Sequence, residues 1–262
     1  MPISDTVVCT ATSYSNLTDP RCQQSLETVY VASRSHQVVV IEASKDRRIA
    51  KAFMKAGAIV VEQYEEGMAQ SRAEAVEFSW TLPGWESYVF WTEPEKIGII
   101  CHIDELIDYA RRCGSYLVIP SRTVEAFATY PPYQAESEMK GNWRLNQLTR
   151  QLYPFAEYFD YFFGPRLYRR HGNTAEILRD TVSLGPYAPL MVGALRMIAH
   201  HSSVSSLCVS SCPVSYRHPP EQTATETGNA EFEALRDRQR VSIITMFEKE
   251  VERIGALRAD RR

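Results

Sequence analysis

Short β-branched apolar runs alternate with stretches of helical periodicity through the first 120 residues. Residues 7–12 read as a first strand. Asp19-Pro20 then opens a helix to about Ser33, since Asp caps well and Pro suits the first helical position. Residues 37–43, with Val38-Val39-Val40-Ile41, form a run fit for a strand covered on both faces. Ser44 is the expected cap of the next helix, where Ile49, Ala52, Phe53 and Ala56 recur at helical spacing and Gly57 ends the pattern. Strands follow at 58–62, 88–91 and 116–119, with a helix from Gly67 through Phe78 between the first two.

The second half is richer in helix. Residues 136–152, 174–184, 186–201 and 231–257 carry helical patterns, and 205–214 reads as a strand. Residues 155–163 are dense in aromatics and end in a Gly164-Pro165-Arg166 corner, and 223–229 is the most loop-like stretch. Pro131-Pro132-Tyr133-Gln134 is echoed by Pro219-Pro220-Glu221-Gln222, each a proline loop feeding a helix. The alternation predicts an α/β class with a Rossmann-like, mainly parallel central sheet flanked by helices, followed by a helix-rich C-terminal half. No linker separates two units, so one domain spanning 1–262 is expected. Ligands of such sheets bind outside the carboxyl ends of the strands. That directs attention to Thr12-Ser13-Tyr14, to Glu42, to 63–67 and to Glu93-Pro94-Glu95-Lys96.

Charge narrows the classes. The 29 Lys and Arg against 32 Asp and Glu leave a net charge of −3, with no dense basic tract, so a non-specific nucleic-acid binder is not expected. Most of the cations are Arg, the planar partner of phosphate and carboxylate. No apolar stretch is long enough to span a membrane and no signal-like start is visible. The six Cys lack a CxxC pair and read as free thiols, so a cytoplasmic protein is expected.

G-x-G-x-x-G, the P-loop, H-E-x-x-H and G-x-S-x-G are all absent. The acidic-basic group Glu93-Pro94-Glu95-Lys96 remains. Carboxylates at i and i+2 in extended chain share a side and could hold a hard divalent cation bound to a diphosphate, or Lys96 could itself meet the phosphates. With the strand end Thr12-Ser13-Tyr14, Glu42 after the second strand, and the Gly-Met-Ala-Gln-Ser-Arg helix start of 67–72, the order resembles the GT-A nucleotide-diphospho-sugar transferase fold in its family-2-like form.

The resemblance implies a glycosyltransferase acting on a nucleotide-diphosphate sugar and an unknown acceptor. Residues 1–120 would be the nucleotide-binding half and 121–262 the acceptor side. It places Thr12, Ser13, Tyr14 and Glu42 at the nucleoside and Gly67 and Arg72 at the phosphates or sugar. Glu93 and Glu95 would stand where the family has Asp-x-Asp, with Mn or Mg as the implied metal. In such an enzyme transfer with inversion needs a carboxylate to take the acceptor's proton, and Glu138 and then Glu136, after the fifth strand where the resemblance puts the acceptor, are the candidates. Arg166 is a candidate to neutralise the leaving diphosphate, with Arg169 and Arg170 beside it. Trp85, Trp91 and Trp143 are candidate stacking platforms, and the apolar C-terminal helix could serve a homo-oligomer. Two other classes stay open. One is a non-catalytic GT-A-like module binding a carbohydrate or partner. The other is a Rossmann-type methyltransferase with Glu42 as its ribose acid.

Overall fold

The apolar runs become the middle of one sheet. The computed structural model describes residues 6–82, 87–170, 173–201 and 208–260. In it β1 (Thr6–Thr12), β2 (Gln37–Glu42), β3 (Ile59–Glu62) and β4 (Tyr88–Trp91) run parallel in the order β3-β2-β1-β4. β5 (Leu117–Arg122), β6 (Arg166–Arg169) and β7 (Val209–Val214) extend it as β4-β6-β5-β7, with β6 antiparallel to both neighbours. The result is a mostly parallel seven-stranded sheet carrying helices on both faces.

Alternation along each strand feeds two apolar layers. Val7, Cys9 and Trp91 join Leu117, Leu145, Tyr161 and Phe247 on one face. Val8, Val38 and Phe90 join Val29, Ile49, Phe53 and Leu106 on the other. Four helices occupy the chain between β1 and β5: α1 (Pro20–Ser33), α2 (Arg47–Lys55), α3 (Met68–Thr81) and α4 (Ile103–Cys113). α5 (Val124–Phe127) and α6 (Pro132–Leu152) follow β5, and α7 (Thr174–Arg179) and α8 (Ala188–His201) follow β6. α9 (Pro220–Glu226) and α10 (Ala230–Ala259) end the fold, with α10 lying along α6 and α8. No described helix is long and apolar enough to cross a membrane.

Several local expectations change. Asp46, not Ser44, caps α2, because the Asp46 side chain accepts from Arg48 N while Ser44 Oγ accepts from Tyr14 N at 2.8 Å. The expected helix 174–184 breaks into α7 and a short 3-10 turn, and part of the loop-like 223–229 is helical in α9. Two elements were not anticipated. α4 carries acids in its first turn, Arg111 and Arg112 in its last, and Gly114 at φ 67 as its cap, all helix signals. β6 hides in the Gly164-Pro165-Arg166 corner, where two arginines mask a strand fit to be buried. The Cys of the described residues are free, as expected. Residues 205–207 of the expected last strand and Trp85 lie outside the described residues.

Candidate functional site

The ends of β1, β2 and β4 are stitched together by short polar contacts. Thr12 Oγ1 donates to Glu42 Oε2 at 2.6 Å, and Ser44 N donates to Glu42 Oε1 at 2.5 Å. Glu42 therefore ties two strand ends and presents no free oxygen. Past it, Tyr14 packs its hydroxyl 2.5 Å from Ser25 Oγ and 3.2 Å from Glu95 Oε1. Burial, and then the Glu95 charge, push the Tyr14 phenol well up. Glu95 also pairs with Arg21 Nη2 at 2.7 Å, which anchors the turn after β4 to the start of α1.

The opposite wall is the start of α3. Gly67 has φ 122, a backbone state that favours glycine, and Gln63 Nε2 donates to its carbonyl at 3.0 Å. No side chain caps this helix, so its first-turn N–H groups point outward without one. One turn in, Arg72 is buried, with Nη1 donating to Pro186 O at 2.5 Å and the guanidinium 5.0 Å over the Tyr187 ring. Burial lowers its pKa against the pull of Glu93. Glu93 Oε2 is buried and has no partner within the protein. Its carboxylate lies over Gly164, where a Cβ would collide with it. Thr12, Ser13, Tyr14, Gly67, Arg72, Glu93 and Glu95 together line one cavity of about 500 Å³.

Among solved structures, the chain resembles glucosyl-3-phosphoglycerate synthase from Mycobacterium tuberculosis at 10% identity and TM-score 0.54, covering 92% of this chain and 80% of that one. The same synthase in complex with Mn2+, UDP and glucosyl-3-phosphoglycerate matches at 11% identity and TM-score 0.52, covering 92% and 79%. A mycobacterial protein matches at 12% and 0.55, covering 92% and 74%. No protein-family model and no curated protein matches the chain. The fold is GT-A-like, shared with glucosyl-3-phosphoglycerate synthase.

On this GT-A-like frame some expected site residues lie elsewhere. Arg166 is fully buried, with Nη1 and Nη2 donating to the carbonyls of Phe163, Pro165 and Tyr161, so it braces the entry to β6 and is no partner for a leaving group. Lys96 turns away from the cavity to place Nζ 5.2 Å from the Phe163 ring and 5.3 Å from the Tyr216 ring. Burial works against its charge, but Tyr130, Tyr216 and Glu93 outweigh it and hold its pKa above the ordinary lysine value. Glu136 sits on the surface, paired with Lys140 at 2.6 Å. Trp91 lines the cavity, while Trp143 is exposed on α6.

Glu138 belongs to a buried ionic cluster that the sequence did not announce. Arg122 donates to Asp160 through Nε at 2.7 Å and Nη2 at 2.8 Å, and to Glu138 Oε2 through Nη1 at 2.6 Å. Gln134 Nε2 donates to Glu138 Oε1 at 2.8 Å and Asn142 Nδ2 to Asp160 Oδ1 at 2.6 Å. Both oxygens of Glu138 are thus occupied, and in this arrangement it anchors Arg122 and is not a free base. Arg122 lies 4.2 Å over Phe127 and 4.7 Å over Tyr130, so aromatic rings pack against the cluster's guanidinium.

The donor set fits a divalent cation in one way only. Glu93 offers one unpartnered oxygen, Glu95 is engaged by Arg21 and Tyr14, and no group of three metal-type ligands exists among the described residues. Diphosphate oxygens would have to complete the shell, as is common for magnesium-type sites. Arg21, Gln63, Glu66 and Ser71 also line the cavity without having been singled out. Gln63 and Glu66 lay in the post-strand segment 63–67, but nothing local distinguished them.

Proposed function

We propose that the chain is a glycosyltransferase that takes its sugar from a nucleoside-diphosphate donor in the cavity at the ends of β1, β2 and β4. The observation that supports this most is the convergence of Thr12, Ser13, Tyr14, Gly67, Arg72, Glu93 and Glu95 on that one cavity. The nucleoside would lie against Thr12–Tyr14. The diphosphate would lie at the uncapped start of α3 beside Arg72, where helix N–H groups and a guanidinium both favour an anion. A Mn or Mg ion bound there would be held by Glu93 and would neutralise charge on the diphosphate as it leaves. The reaction moves the anomeric carbon from the diphosphate oxygen to an acceptor hydroxyl, whose proton must leave to a base. Glu138 is ion-paired to Arg122 and would have to give up that contact to serve as the base.

That same pairing favours a second reading, a module that binds a nucleotide sugar without transferring it. A thermal-shift panel of UDP and GDP, each with and without Mn2+ or Mg2+, tests the shared premise. A rise in Tm is expected, and no rise with any nucleoside diphosphate sinks both readings. Release of UDP from UDP-glucose in the presence of an acceptor separates them.

A further inference from the structure

Residues 45–55 hold five cations and one acid, in a chain whose total charge is −3. In the sequence the cations are spread among apolar residues. Helix α2 gathers them: Arg47, Arg48, Lys51 and Lys55 share its outer face, opposite the buried Ile49 and Phe53. Arg47 is paired with Glu62 and Arg48 with Asp46, so the charge at the start of the helix is partly met. Lys51 and Lys55 are exposed and make no ion pair among the described residues. Beside them Met54 is 54% exposed. The same end of α2 meets α1 and β3. Ser33 Oγ lies 2.8 Å from Ala56 O and 2.9 Å from Tyr30 O, so Tyr30, 56% exposed, sits beside the last turn of α2. Arg34, next to Ser33, is exposed, and the one acid of α1, Glu27, lies a turn further back. Ile59, 40% exposed, opens β3 on the edge of the sheet. Single exposed apolar side chains are ordinary, but three at one corner among unpaired cations mark an interaction surface.

We propose that this corner, the outer face of α2 with Tyr30 and Ile59, docks on an anionic lipid bilayer. The inference goes beyond the donor reading and stands without it. Charge complementarity selects the partner. Lys51, Lys55 and Arg34 attract headgroup phosphates, while the rest of the chain is net negative and is repelled, so the molecule presents this face first. The apolar residues select a bilayer over other polyanions. Met54, Tyr30 and Ile59 would enter the boundary between headgroups and acyl chains, with the Lys stems lying along it and their ammonium groups in the wet layer. A nucleic-acid duplex would engage the cations and leave these three side chains in water. With nine residues, α2 is too short to span a bilayer and would lie in its surface.

The test is co-sedimentation of the full chain with vesicles of phosphatidylcholine alone and of an equal mixture of phosphatidylcholine and phosphatidylglycerol, at low and at high salt. Wild type should sediment with the mixed vesicles only, and high salt should release it. Lys51→Gln combined with Lys55→Gln should weaken that binding by about tenfold or more. Met54→Ser should weaken it several-fold through lost insertion. All three positions are exposed, so both variants keep the fold, which an unchanged unliganded Tm verifies. No binding to the mixed vesicles, equal binding to both kinds, or full binding by the double-lysine variant overturns the inference. A DNA duplex is the second probe. If it binds as tightly as the mixed vesicles do and Met54→Ser affects neither, the face is a general polyanion site and the lipid assignment falls. None of these outcomes bears on nucleoside-diphosphate binding, which the thermal-shift panel reads separately.

Discussion

Arg72 combines two conflicting demands: its stem is buried among apolar neighbours while its charge faces a cavity shared with Glu93. Arg72→Met keeps the stem and deletes the charge. The Tm rise caused by UDP or GDP should vanish while the unliganded Tm moves by only a few degrees, as differential scanning fluorimetry would show. Gly164→Ala acts on the same anion site from behind. Its Cβ would collide with the Glu93 carboxylate, which must swing aside. Nucleoside-diphosphate binding without metal should persist, and the extra affinity conferred by Mn2+ should be lost. A variant that keeps its full Mn2+ response would show that Glu93 holds no cation. At this scale Arg72 and the 93–95 turn were legible because each sits directly after a strand or at a helix start. The surroundings of Lys96 were not legible because its partners, the Phe163 and Tyr216 rings, come from distant chain.

Among the elements, α10 does most to close the helical face. Glu250 on α10 is buried between Arg196 of α8, at 2.7 Å, and Arg253 one turn along, at 2.6 Å. Burial alone would raise its pKa, but Arg253 and Arg196 outweigh it and hold the carboxyl below its usual range. Glu250→Gln should destabilise the fold by about 2 kcal/mol, because it weakens charge-assisted bonds and leaves Arg196 partly buried without a counter-charge. Urea unfolding followed by circular dichroism measures it, and an unchanged midpoint would mean that solvent screens the pair. The parallel strands and most of the helices, α4 excepted, were readable from periodicity, caps and apolar runs. β6 was not, since its four residues begin and end with arginine and the buried Arg166 meets carbonyls that only the fold brings round.

For the whole molecule the Arg122–Asp160–Glu138 cluster joins β5, α6 and the chain leading into β6. Burial alone would raise the Asp160 pKa, but Arg122 and Asn142 outweigh it and hold it below the ordinary aspartate value. A carboxyl depressed in the folded state contributes stability that is complete above its unfolded pKa and is lost as pH falls through the folded value. Asp160 and Glu250 both carry that sign, so Tm should hold near neutrality and drop below about pH 4. Asp160→Asn should lower Tm at neutral pH and flatten the acid limb. An acid limb as steep as that of wild type would place the acid-sensitive groups elsewhere.

The sequence alone determined the parallel half of the sheet and the helices α1 to α3, and it pointed to the strand ends as the level for a ligand. Each depends on interactions within a few residues, or on the rule that such sheets bind at strand ends. Tertiary structure alone decided which charged side chains face the cavity. Glu93 and Arg72 do, whereas Glu42, Lys96, Glu138 and Arg166 are turned into bonds with Thr12, aromatic rings, Arg122 and backbone carbonyls. A buried charge takes whatever partner the packed chain brings within reach, and that choice leaves no mark in residue spacing.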